Sequence, residues 1–347
     1  MKSRVATVSL LVALLTPVPW VEAAPPPSIP VSDTRIDESS ALVDLGRTMV
    51  TTNDSGDTAR LFVVSASTGK TIGITRYRGS VQDVEALAPA GGNQIWVGDI
   101  GDNESERRSV SVFRVKVSKG GTTVSAPRYR LAYPDGSHNA ESMFVDAQGN
   151  LNLVTKSFGG GTVYRAPSAL STTSVNRLRV VGKVVEFATD AAMTLDRRHL
   201  LVRGPMAVGV YSVPGFERVA SFALPRQRQG EGISVGPGGR VRISSEGAKN
   251  PIREVVVPAK VLQALAAAPA APATSSATPA PSASPSPSAS ASPSATPDAQ
   301  PSPPPSNGET SSQGFASIDP PWLMWCIPGV IAVGALGIGL GLRRRSE

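Results

Sequence analysis

Glu141 to Lys156 reads ESMFVDAQGNLNLVTK. An acid and a small residue lead an apolar run, a turn containing Gly149 follows, and a second alternating run ends in a polar group. Alternation with a period of two is the mark of a half-buried strand, and two such runs around a glycine turn read as a hairpin. The same unit recurs as ESSALVDLGRTMVTTND from Glu38, EALAPAGGNQIWVGD from Glu85 and EGISVGPGGRVRISSE from Glu231, with a degenerate copy, DAAMTLDRRHLLVRG, from Asp190.

Working outward, the leading acids are separated by 47, 56, 49 and 41 residues, close to the length of a four-stranded propeller blade. The turn glycines Gly46, Gly92, Gly149 and Gly239 are each followed seven positions later by Asn53, Asp99, Lys156 and Glu246, so register is shared inside the units too. Between Pro30 and Ala259 no long helical periodicity interrupts the short β-type runs. The last unit has room for only three strands, and PSIPVSDTRI, ahead of the first unit, is free to supply the fourth. The expectation is an all-β, five-bladed propeller, closed by pairing its N-terminal and C-terminal strands so that exposed sheet edges are removed. Six blades is the alternative, because the 56-residue unit with RYRLAYPDG appended has length for an extra hairpin. A two-sheet sandwich would explain the strands but not their common register.

Beyond the repeats the chain changes character. Residues 1–23 read as a signal peptide: Lys2 and Arg4, an apolar Val5 to Leu15, then small residues at Val21 and Ala23. Residues 24–262 form the ectodomain, and 263–320 a stalk whose Ala, Pro, Ser and Thr cannot bury enough apolar surface to offset the entropy of ordering. Proline density favours extended polyproline II there, and such stalks are either bare or O-glycosylated. Residues 321–342 carry an uncharged apolar run opened by Trp322 and Trp325, and Arg343, Arg344 and Arg345 head the tail at 343–347. That pattern predicts one membrane helix with the arginines in the cytoplasm and the ectodomain outside. Its glycines, among them Gly329, Gly334 and Gly337, have small-xxx-small spacing that would suit a homodimer.

Cys326 is the sole cysteine and lies in the membrane segment, so the ectodomain forms no disulfide. The formal charge is +7, of which the signal and tail hold three, leaving +4 scattered over the exported part. That balance, with no base-stacking or zinc-finger motif, excludes nucleic acid as the expected partner. An extracellular ligand or wall component is expected instead.

In a propeller, the residues that lead and leave each innermost strand cluster at one end of the axis. That places Glu38, Glu85, Glu141 and Glu231 near Lys156, Arg203 and Glu246 as candidate ligand-binding residues. Such acids either cap backbone amides or bind Ca²⁺, a polyol or an amine. NDSGD (Asp54, Asp57) and GDIGDN (Asp99, Asp102) put carboxylates three residues apart around a glycine, a spacing that suits Ca²⁺ but lacks the remaining ligands of an EF-hand. Asx-rich turns form similar strings with no metal. Only His138 and His199 occur, which excludes a three-histidine zinc site, and no GxSxG elbow or P-loop is present. Trp96 is the ectodomain's one tryptophan, so the acids lack the aromatic platform expected of a glycosidase.

NDSGD, QDVEALA, GDIGDN, YPDGSHNAESM and LVTKS, in that order over about Ile36 to Gly161, resemble signatures of secreted actinobacterial propeller-like proteins of unassigned activity. The EALA, ESMFVD and GEGISV units are also similar to the phytase-like and esterase-like propeller superfamily. That second resemblance implies Ca²⁺ and channel carboxylates acting on phosphate esters. Lys156 and Arg203 are the cations in register for it, with Arg107 and Arg108 in a nearby loop, while Ala191 stands where a glutamate is expected. Two functions follow as expectations: a displayed binding module, stabilised by Ca²⁺, or a Ca²⁺-dependent esterase.

Overall fold

The computed structural model describes residues 27–267. The signal peptide, most of the stalk, the membrane helix and the tail expected from the sequence lie outside these residues. Among the described residues no helix is long and apolar enough to cross a membrane.

The chain begins with β1 (Ser28–Ile29), then lays down blade one as β2 (Ser39–Asp44), β3 (Thr48–Asn53), β4 (Arg60–Ser65) and β5 (Thr71–Arg78). Blade two starts with β6 (Val84–Pro89), β7 (Gln94–Asp99) and β8 (Val110–Lys116). The chain then returns to blade one, where β9 (Gly120–Ser125) pairs in parallel with β5, before β10 (Arg128–Ala132) completes blade two against β8. Blade three holds β11 (Ala140–Val145), β12 (Leu151–Thr155) and β13 (Thr162–Arg165). From it β14 (Asn176–Arg177) crosses to pair with β10, and β15 (Arg179–Lys183) returns to β13. Blade four is β16 (Asp190–Met193), β17 (His199–Arg203), β18 (Ala207–Ser212) and β19 (Arg218–Ala223). Blade five is β20 (Gly230–Val235), β21 (Val241–Ser245) and β22 (Ile252–Val255), with a helix α1 (Ala259–Ala267) after it.

Five sheets therefore form, and the fifth takes its outer strand from the N-terminus: Ser28 pairs with Arg253 and Ile29 with Ile252. The ring is closed by its two ends, as the spare N-terminal segment implied. The long second unit conceals no sixth blade. Its surplus is β9, which straps blade two to blade one across the neighbouring outer edge. Gly73 permits that approach, since a Cβ there would meet the Ser118 carbonyl oxygen at 2.5 Å.

Both faces of these sheets are covered, which explains why the strands are apolar in nearly continuous runs. Successive side chains leave a strand in opposite directions. In β2, Ala41 and Val43 enter the core between blades one and two, while Leu42 enters the core between blades five and one. In β17, Leu200 and Val202 pack toward blade three, and Leu201 toward blade five. The remaining core, around Met143, Leu153 and Tyr164, lies between blades two and three. One core fills each junction between neighbouring blades. Each buried Val or Leu contributes about 1.5–3 kcal/mol, without which a disulfide-free ring of this size would open. The short α1 interrupts the all-β pattern: its Val261 is buried with Leu224 and Val255 against blades four and five.

Candidate functional site

The innermost strands are β2, β6, β11, β16 and β20, each at one end of its sheet. In four of them the pairing slips near the start. The unmatched residues are Ser40, Glu85 and Glu141, and in blade five Glu231 with Gly232. A bulge of this kind adds a residue to one strand and re-aims its side chain, and such bulges gather beside active sites. Here they bring side chains from separate blades into contact: Ser40 Oγ lies 2.8 Å from a carboxylate oxygen of Glu85. Asp190, in the unshifted fourth blade, accepts backbone N–H groups from Ala191 and from Ile233 of blade five.

The shared geometry differs by one step from the glycine count. Asp54, Lys156 and Glu246 each donate the backbone N–H to the residue two positions ahead of the bulge: Glu38, Asn139 and Gln229. In blade two the equivalent donor is Gly101, to Asp83. Thus Asp54, rather than Asn53, is the companion of Lys156 and Glu246, and Gly101 replaces Asp99. The hairpin turns differ in length between blades, and a step of one residue reverses the direction of a side chain. The same step makes Ser40, rather than Glu38, the counterpart of Glu85, and Glu38 is exposed.

Asp54, Asp83 and Glu85 each offer a carboxylate oxygen within 4.8 Å of the others. Asp83 Oδ1 is buried without a hydrogen-bond partner. A Cβ at Gly101 would lie 2.3 Å from Asp83 Oδ2 and 2.8 Å from Glu85 Cγ, so only glycine leaves these two side chains room. Asp83 was not singled out by the repeat; the acid two residues before Glu85 in QDVEALA was its visible signal.

The other metal candidates are occupied by the protein itself. Asp57 binds Arg60 at 2.8 Å and caps the N–H of Thr58. Asp99 accepts the N–H groups of Gln82 and Asp83 and lies 3.0 Å from Arg107. Asp102 accepts the N–H groups of Glu106 and Arg107. These three behave as turn caps, the reading that Asx-rich loops also allowed.

The electrostatics of the mouth favour a cation. Burial pushes Glu85 well above the ordinary carboxylate value, and Glu141, Asp54 and Asp83 push it further. Burial and Asp54 raise Asp83, and burial raises Glu141 against the pull of Lys156. Glu231 is pushed up to about 8 by burial and Glu141, and Glu246 to about 7 by burial, Asp54 and Glu38. Glu38, though exposed, is raised by partial desolvation and by Asp37, Asp54 and Asp57. Lys156 bridges Glu141 at 2.5 Å; burial opposes its charge, but Glu141 and Glu231 outweigh that and hold it above its usual value.

Arg203 is wholly buried. Its guanidinium donates to the carbonyls of Gly232 and Ser244 and to Gln227, tying blade four to blade five. Burial lowers its pKa to about 10 against the attraction of Glu231 and Asp190. A cavity of about 380 Å³ adjoins this corner of the mouth, lined by Lys156, Phe187, Met206, Arg228 and Glu231 among others. Phe187 stacks on Phe158, which is 98 % exposed, with ring centroids 4.8 Å apart.

No family model matches the sequence, and no curated protein matches it. Among solved structures, the chain is similar to a glucose dehydrogenase at 13% identity and a TM-score of 0.41, covering 67% of this chain and 100% of that one. It is similar to a streptogramin B lyase at 10% identity and a TM-score of 0.38, covering 66% and 97%. Hydrazine synthase of Kuenenia stuttgartiensis gives 13% identity and a TM-score of 0.35, and this chain spans 60% of its length against 66% of its own. Likeness at this level says nothing of activity or substrate, and the propeller is read from the five sheets themselves.

Proposed function

We propose that this protein is a displayed binding module whose axial mouth takes a cation, Ca²⁺ being the occupant of the Asp54, Asp83 and Glu85 corner. The observation that carries the reading is the meeting of those three carboxylates within 4.8 Å, with Asp83 Oδ1 lacking a hydrogen-bond partner and no lysine or arginine salt-bridged to them among the described residues. Ca²⁺ takes six to eight oxygens, and waters or a ligand's own oxygens would complete the shell. Glu141, Glu231 and Glu246 extend the negative field toward Lys156, so that a ligand bearing an amine or hydroxyls finds acceptors beside the metal.

Display rests on the sequence. A signal at 1–23, a stalk at 263–320 and one helix at 321–342 ahead of three arginines would hold the propeller outside a membrane as a type I protein, within reach of wall polymers. The glycines of that helix would let two copies pair.

Calorimetric titration of the full-length chain with Ca²⁺ tests the proposal. Saturable binding that is lost in Asp83→Asn supports it, and the absence of heat with no rise in melting temperature returns the carboxylates to a structural role. A second reading, a Ca²⁺-dependent phosphate or carboxylic esterase, is favoured by Lys156 and Arg228 lining the same cavity as Glu231. Turnover of generic esters that stops with chelator would select it.

A further inference from the structure

At the far end of the axis, where the inner strands finish, lies a second cavity of about 180 Å³. It is lined by the closing residues of β2, β6, β11, β16 and β20, the more exposed apolar ones including Val145, Met193, Leu195 and Val235. We infer that this cavity is a binding site for a small monocarboxylate with an apolar body, the size of benzoate or hexanoate.

Three features point to that class. Val145, Met193, Leu195 and Val235 give the cavity an apolar side, and a hydrocarbon body of about six to eight carbons gains from being buried against it. Ser234 also lines the cavity; it is only 4% exposed, and its hydroxyl has no hydrogen-bond partner. A buried hydroxyl left unpaired is costly, and a carboxylate oxygen would satisfy it. Arg197, exposed and also among the lining residues, donates one guanidinium nitrogen to the carbonyls of Val145 and Asp146 and has no carboxylate partner among the described residues.

The charge of the site follows from what neutralises what. Asp44 is the one acid of the lining, and Arg242 holds it at 2.5 Å while the N–H of Gly46 donates to its other oxygen. Arg197 is therefore the charge left uncompensated, and it favours an anion. Arg197 is fixed in place by a left-handed backbone, φ 55°, and by the bond from its own N–H to the Thr194 carbonyl. The inner strands are unpaired along their axial edges, so backbone N–H groups are also at hand for an oxyanion.

The site stands apart from the acid mouth, and its test does not depend on Ca²⁺. Benzoate, benzyl alcohol and benzylamine would be titrated into the full-length chain by calorimetry, with and without chelator. Benzoate should bind at least about ten-fold more tightly than either neutral or cationic counterpart, and Arg197→Gln should abolish that preference, since a hydrogen bond to a charged group is worth about that factor. Ala192→Leu, which fills the cavity from its wall, should remove binding of all three. Equal affinity for benzylamine, no heat with benzoate up to millimolar concentration, or benzoate binding unchanged in Arg197→Gln would overturn the inference. Arg197 lies at the surface, so that variant reports even where the filled one does not fold.

Discussion

The two ends of the propeller axis are made by the same five strands, yet a ligand would find opposite environments in them. Where the strands begin, bulges turn Glu85, Glu141 and Glu231 toward one another, and the cost of burying those carboxylates shows in their raised pKa values. Where they finish, pairing is regular, and the strands line a cavity with one unpaired hydroxyl and one guanidinium that no carboxylate bridges among the described residues. The leading end stores electrostatic repulsion that a cation can relieve. The finishing end has no such repulsion to relieve. A repeat thus divides labour along its strands, with pairing register as the variable that separates the two ends.

The largest effect should come from Arg203→Ala at the leading end. It strands two buried carbonyls and empties the space of the largest fully buried side chain, at a cost of about 3 kcal/mol or more. Urea denaturation would show it. If Ca²⁺ still binds the folded fraction with unchanged affinity, Arg203 is a clamp between blades; a lost site would move it back among the ligand contacts.

Next in size, Glu85→Gln should lower Ca²⁺ affinity by about ten-fold or more and raise the melting temperature of the metal-free protein, because it removes repulsion along with a ligand. A variant that loses stability without losing affinity would break the contrast between the ends.

The dependence on pH sharpens it further. Glu231 is raised from 4.5 to about 8 in the folded protein, so the native state holds more protons than the unfolded chain across that interval. The contribution of Glu231 to stability without metal should be fully present below about 4.5 and be lost as pH rises through about 8, with Glu231→Gln flattening that part of the curve. Ca²⁺ should restore the loss at the alkaline side, and melting curves across the range would record both.

The smallest effect belongs to the finishing end. Ser234→Ala should leave stability unchanged or raise it by about 1 kcal/mol at every pH, since its hydroxyl is already unpaired. A marked loss in denaturant midpoint would mean that the hydroxyl has a partner in the folded protein.

Much of this ring could be read from the chain alone because repetition in sequence becomes rotation in space. The five leading acids, the turn glycines and the spare PSIPVSDTRI were enough for the number of blades and for the closure at Ser28 and Ile29. Side-chain direction was harder. Counting from Gly46 and Gly92 pairs Asn53 and Asp99 with Lys156 and Glu246, whereas the hydrogen bonds pair Asp54 and Gly101 with them. Turn length varies without a clear signature, and each added residue reverses a face. Strand exchange was equally hidden: GGTTVS has weak β pattern by itself, and β9 is held in blade one by its parallel partner β5. The burial of Arg203 depends on Gly230, where a Cβ would lie 2.0 Å from the guanidinium, and no local pattern reveals such a neighbour.

The clasp between β1 and β22 also imposes an order of events. On leaving a ribosome or a translocation pore, β1 finds its partner only when almost the whole domain has followed, because Ser28 pairs with Arg253. Until then the outer edge of the last blade lacks its cover and the long loop must be held open at an entropic cost. Trimming the chain past Ile29 would take one side chain from the core between blades five and one and deprive the circle of its fastening.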